Sequence, residues 1–515
     1  MLTSMRVLRW LVAGSLAIST LLLILWSRHW PLVGDAALIH YIGFLIERGW
    51  APYRQLGDMN MPGSFLIEMT AMHVFGGGAA GWRAFDLTLL GVAGGAFFVV
   101  TRRAGWFAGA FAAGLFALVH GRDGLAEGGQ RDLTMGVLLV ASTALLMTGV
   151  RRRTWWAFVA FGIMAGVALT IKPTALPLSL TQLAIAWWAL RRSDASAANR
   201  KTLLACMAML AGPAAALVFL VREHAVAAFL HGLRTIVPYY ASLGHRPFGF
   251  LLLHSVSPLL PLVIAWGLVL ALGRQPWSWE RAMLACGVLF GLVSYVVQAR
   301  GLPYYRYPLL AFLLPLMAFD FTCALKWAHT SVTTERRWAG LAAVAALCIG
   351  GLFLGPQSAL LAHRYRWWET DFIDSLETNL NRLGGPRLSG HIQCVDSISG
   401  CGATLYRMRL EPASGVLSDF LLFGPDDVPV ILETRQAFSS AVYEQPPDVL
   451  VVSSWLHMDG PGDYQKLARW PEFSLFLASH YQLDTDWKPT RMTRWWSREE
   501  LPAGYRIYVR KPDAH

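Results

Sequence analysis

Apolar residues fill the first two-thirds of the chain in long runs separated by short polar turns. Runs of spanning length fall at about 8–26, 84–101, 105–121, 133–150, 155–171, 174–190, 202–221, 249–272, 282–298, 305–325 and 338–355, which predicts about eleven transmembrane helices. The loop after the first run, about 27–82, is long and patterned. Leu38, Ile42 and Leu45 recur at helical spacing, with His40, Gly43 and Glu47 on another face. This predicts a helix from Ala36 to Gly49 lying on the membrane surface with one face in lipid. Gly49-Trp50-Ala51-Pro52-Tyr53 breaks it, and a second short helix starts at Pro62 and ends at Gly76-Gly77-Gly78. Beyond about residue 357 the texture changes. Asp448–Ser453 reads as a buried strand, Asp463–Tyr481 as an amphipathic helix and Arg506–Val509 as a closing strand, so a small α/β domain is expected over 357–515, after a membrane module over 1–356.

Composition agrees with the runs. The chain is 55% hydrophobic and 15% charged, well below the charge of soluble domains. Arg6 and Arg9 precede the first run and argue for a cytoplasmic N-terminus. Arg102-Arg103, Arg151-Arg152-Arg153, Arg191-Arg192 and Arg336-Arg337 then fall on that same side, which sends the tail outside. The first run lacks a small-residue cleavage site and is read as a retained anchor. The net charge of +11 is dispersed around the spans, which argues against nucleic acid and for membrane lipids as surroundings. Cys394 and Cys401 in the tail suit a small disulfide loop in an oxidising compartment. No His/Cys cluster marks a transition-metal site, so no metal ligand is assigned and no cofactor is implied; the carboxylates leave a divalent cation open.

The outer loops collect polar side chains from distant parts of the chain. The first supplies Asp35, Asp58 and Asn60; the second supplies Arg122, Asp123, Glu127 and Gln130-Arg131-Asp132. Lys172 lies beside Pro173; His231, Arg234, Tyr239, Tyr240, Arg300, Tyr304, Tyr305 and Arg306 complete the set. Each has a plain reading: a helix cap for Asp35, snorkelling for the arginines, an aromatic belt for the tyrosines. Together they place cations where the positive-inside tendency disfavours them, so something anionic must meet them. A lipid-linked phosphate carries that charge at that depth, and a carboxylate among the cations is placed to take a proton from an incoming hydroxyl or amine.

The order of these features resembles the GT-C superfamily of membrane glycosyltransferases, in the bacterial branch related to protein O-mannosyltransferases and to the aminoarabinose and galacturonic acid transferases of lipid A and core. That family places an Asp, usually Asp-Glu, in the first outer loop, followed by a tyrosine-bearing helix, a Pro-Tyr pair and a Pro-led helix ending in Phe-Gly. Here those are Asp35, Tyr41, Pro52-Tyr53, Pro62 and Phe75-Gly76, while Asp132 and Lys172-Pro173 match a later acidic position and a Lys-Pro pair. The chain departs at Ala36, where the family has Glu, and at Asn60-Met61-Pro62-Gly63, where a Lys-Pro-Pro or Pro-Pro is common.

The resemblance implies transfer of a sugar, with inversion, from a polyprenyl-phosphate donor to lipid A, a polysaccharide or a protein on the periplasmic face of a bacterial inner membrane. It makes Asp35 the general base and Asp132 an orienting carboxylate. Lys172, Arg234, His231 and Arg306 are assigned to the donor phosphate, Asp58 and Asn60 to sugar hydroxyls, and Arg131 and Tyr239 to substrate binding. The rival expectation is a non-catalytic lipid-glycan transporter or envelope assembly protein, for which the outer cations are only a lipid-phosphate site.

Overall fold

The computed structural model describes residues 2–512 apart from 274, 331–332, 365–367, 457–459, 462–463 and 490–502. Every apolar run identified in the sequence falls on helix. Seven of the described helices are long and apolar enough to cross a membrane, or eight if Phe248–Val256 and Leu260–Gly273, bent by 87°, form one broken span. The difference from the expected eleven has local causes. Trp106–Asp123 ends in His120, Arg122 and Asp123, which lowers its hydropathy. Trp155–Ile171 has 17 residues, and the break at Pro173 leaves Leu176–Arg191 only 16. The last helical run of the bundle carries on past residue 356, through Gly355–Arg364, and packs against the first helix.

Tyr307–Ala324 is the axis of the bundle. Apart from Asp320, paired with Arg281 near its end, it is apolar almost all round and buried along nearly its whole length, as a helix without a polar face must be. Trp279–Gln298 lies against it through Gly287 and Gly291. A Cβ on Gly291 would sit 2.3 Å from the Leu309 Cα, so these glycines are what lets the two backbones meet.

The tail folds around a four-stranded sheet in the order Ile392–Val395, Val449–Ser453, Tyr505–Arg510, Tyr481–Trp487. The first pair is parallel and the other two are antiparallel. The helix expected over 463–481 begins later. Pro471 starts a helix that runs to His480, preceded by the 3-10 turn Gln465–Arg469, and Tyr481 already belongs to a strand. Residue 463 lies outside the described residues. Cys394 and Cys401 are joined by a disulfide that ties the end of the first strand to the helix Cys401–Met408.

The helix Gly34–Glu47 is not laid open to lipid. Ile39, Tyr41, Ile42, Phe44 and Leu45 share one hydrophobic core with Phe372, Leu376, Leu405, Tyr406 and Val449 of the tail. Its apolar residues run almost all round, so a single lipid-facing stripe is the wrong solution for it; it is buried between the tail and the helix Pro62–Phe75. Tyr41 gives its hydroxyl hydrogen to the Leu410 carbonyl, and Trp50 its indole N–H to Glu411. The tail is therefore the roof of the first loop.

Candidate functional site

Asp35 stands in the first turn of Gly34–Glu47 but does not cap it. Val33 is the N-cap and contributes no side-chain bond. The Gly34 N–H donates instead to both carboxylate oxygens of Glu369, at 2.9 and 3.0 Å, from 335 residues away. Capping by a remote group leaves the Asp35 carboxylate free to turn outward, where it remains favoured by the helix dipole. It accepts from Arg131 Nη2 at 2.9 Å, and the carboxylate is 18% exposed, so one side is held and the other is open.

The neighbouring pair is built in the same way. Lys172 Nζ donates to Asp132 at 2.6 Å and to Gln298 at 2.7 Å, and lies 4.6 Å from the centre of the Tyr305 ring. The break at Lys172-Pro173 frees the lysine from either flanking helix and brings it to the start of Arg131–Arg152 and the end of Trp279–Gln298. Asp58 feels both Arg131 and Asp35 electrostatically. It accepts the Asn60 amide N–H, and burial raises its carboxyl above the ordinary range against the pull of Asn60 and Arg131. Tyr53 gives its hydroxyl hydrogen to the Asn60 carbonyl at 2.6 Å, which fixes the Asp58–Asn60 turn. Tyr240 and Tyr304 lie within electrostatic reach of Asp35 and Arg131.

Asp35, Asp58, Asn60, Arg131, Asp132 and Lys172 thus gather in one place. Other sequence candidates do not join them. Arg306 is 6% exposed and paired with Asp123 while donating to the carbonyls of His254 and Ser257. His231 meets Glu433 at 2.8 Å, and the Tyr239 hydroxyl donates to the Phe420 carbonyl at 3.4 Å. These two lie on the helix Val226–Ser242 and are engaged by the tail, and Arg234 on the same helix is exposed.

Arg300 differs from the other cations. It is 7% exposed, its guanidinium is 3.4 Å from the centre of the Tyr240 ring, and Nη2 donates to the Tyr240 carbonyl. Its Nη1 has no hydrogen-bond partner among the described residues, and no described carboxylate lies within 4.0 Å. Arg131, Lys172 and Arg306 each have an acidic partner; Arg300 does not. A buried guanidinium left in that state calls for an anion.

The same end of the bundle carries a support that sequence reading missed. Asp86 accepts the Gly129 N–H at 2.7 Å and pairs with Arg83 and His120, and His120 is bonded to the Tyr307 hydroxyl at 2.8 Å. Trp82 donates to the Gly128 carbonyl at 3.0 Å. These bonds pin the turn that presents Arg131 and Asp132. Among the described residues no group of three or more His, Cys, Asp or Glu side chains is arranged to hold a metal ion.

No family model matches the chain, and no curated protein matches it in sequence. The fold does have solved counterparts. It is similar to ArnT from Cupriavidus metallidurans bound to undecaprenyl phosphate, with a TM-score of 0.59 at 14% identity over 96% of this chain and 97% of that one. It is also similar to the archaeal oligosaccharyltransferase AglB from Archaeoglobus fulgidus in complex with an inhibitory peptide and a dolichol-phosphate, with a TM-score of 0.54 at 12% identity over 96% of this chain and 75% of that one. The chain shares the fold of these two structures. Its own described residues include seven or eight helices long and apolar enough to cross a membrane.

Within this fold the two sequence departures have packed surroundings. Ala36 is buried with Ala71 and Trp82, an apolar setting in which a second carboxylate would be costly. Gly63 packs so tightly on the helix Trp155–Ile171 that a Cβ would lie 1.9 Å from Thr170 Oγ1. Gln298 and Glu369 were not candidates from the sequence. A lone amide at the end of an apolar run, or an acid in a distant amphipathic helix, carries no local signal.

Proposed function

We propose that this chain transfers a sugar from a polyprenyl-phosphate donor to an acceptor hydroxyl or amine at the end of the bundle that bears Asp35, on the periplasmic face of a bacterial inner membrane. The observation that carries this reading is the half-open Asp35 carboxylate beside Arg131, with the Arg300 guanidinium, which has no carboxylate partner among the described residues, close by through Tyr240. The lipid phosphates held by the neighbouring GT-C structures support the donor class.

Asp35 takes the acceptor proton as the acceptor oxygen or nitrogen attacks the anomeric carbon. The bond from that carbon to the phosphate oxygen breaks, and the polyprenyl phosphate leaves with the electron pair. Arg300, with Lys172, stabilises the charge that grows on the departing phosphate. Arg131 orients Asp35, Asp132 holds Lys172 in place, and Asp58 and Asn60 stand where sugar hydroxyls would meet them. Membranes containing the wild-type protein, supplied with a panel of labelled polyprenyl-phosphate sugars, are expected to move label from lipid to an envelope acceptor. No transfer from any donor, with the donor lipid still bound, would favour the transporter reading.

A further inference from the structure

The helices Leu176–Arg191 and Trp279–Gln298 meet the site at one end, where Lys172 and Gln298 are bonded. At their other end, about 24 Å away along the first helix, they enclose a groove of about 590 Å³. Ile185, Trp188, Trp277, Trp279 and Ala282 line it, and Arg192 stands at its rim. The lining is apolar and the rim is aromatic, which is the make-up of a surface at the depth where acyl chains give way to headgroups.

The charges around it are unbalanced. Arg103 and Arg151 share one acid, Glu280, at 3.0 and 3.6 Å. Arg281 is taken up by Asp320. Arg192 is exposed, sits over the Trp188 ring at 3.8 Å from its centre, and has no carboxylate within 4.0 Å among the described residues. The cation–π contact holds the guanidinium beside the groove, with its N–H groups not taken up by a carboxylate.

We propose that this groove is a binding site for an anionic phospholipid of the arginine-rich leaflet. Its acyl chains lie against Ile185, Trp277 and Trp279, and its phosphate meets Arg192. A basic pocket between spans on this side selects charge at the headgroup, while the apolar walls accept any chain of suitable length. The site is separate from the reaction site and does not depend on the sugar-transfer reading.

The test uses the full chain purified in detergent, stripped of lipid, and titrated with phosphatidylglycerol or phosphatidylcholine of the same acyl chains, with retained lipid counted by native mass spectrometry. Wild type is expected to bind phosphatidylglycerol about fivefold more tightly, the effect of one cation near the headgroup, and Arg192→Gln to lose that preference while still binding both lipids. Equal binding of the two lipids by wild type, or an unchanged preference in the variant, would overturn the proposal. So would displacement of bound phosphatidylglycerol from the groove by polyprenyl phosphate at equal concentration, which would assign the groove to the donor's tail.

Discussion

At the scale of single residues, the account turns on which charges are already satisfied. Arg131, Lys172 and Arg306 were all legible in the sequence as outer cations, but sequence cannot say that each has its own carboxylate. Arg300, read as one more member of the set, is buried and has no carboxylate partner among the described residues. Replacing it by Gln is expected to lower kcat/KM for the polyprenyl-phosphate donor about tenfold to a hundredfold, the effect of one lost hydrogen bond to a charged group. Steady-state kinetics across donor concentrations checks this. Asp58 gives a second expectation. Its carboxyl is raised by burial, so the folded protein binds its proton more tightly than the unfolded chain does. The resulting penalty is absent below the ordinary carboxylate range and complete above the raised value. Asp58→Asn, which keeps an acceptor for the Asn60 amide, should therefore melt at or above the wild-type temperature at neutral pH, and that advantage should shrink as the pH falls toward about 4. Melting curves at several pH values decide it.

At the scale of elements, the first loop was largely readable and its setting was not. The start at Pro62 and the stop at Gly76 follow from local backbone preferences, and the helix Pro62–Phe75 has those bounds. The helix Gly34–Glu47 was recognised from its spacing but assigned the wrong neighbour, because a sequence does not show whether lipid or protein covers an apolar face. On Val226–Ser242, His231 and Tyr239 are engaged by the tail, a contact that the spacing along the chain does not show. Glu369 joins the two parts. Glu369→Ala removes the acceptor for Gly34 at the start of the Asp35 helix, and about 1 kcal/mol of stability should go with it, as for other lost caps. The transfer rate should fall as Asp35 loses its setting, and Glu369→Gln, which keeps an oxygen there, should restore part of both. A rate in Glu369→Ala equal to wild type would show that the roof has no part in placing Asp35.

At the scale of the molecule, a bundle around Tyr307–Ala324 brings loops from distant parts of the chain to one end, and the tail closes over them. The fold was readable because the order of Asp35, Pro52-Tyr53, Pro62, Asp132 and Lys172-Pro173 follows the chain. The second support around Asp86 and His120 was hidden because its members come from separate helices and look like isolated polar residues in apolar runs. What this architecture is for rests on one carboxylate. The most direct measurement is transfer of labelled sugar from a polyprenyl-phosphate donor by wild type and Asp35→Asn at equal amounts of folded protein. The account predicts a fall in kcat of about a hundredfold to ten-thousandfold with donor lipid still bound, the loss expected when a general base is removed. Transfer by Asp35→Asn at the wild-type rate would contradict it.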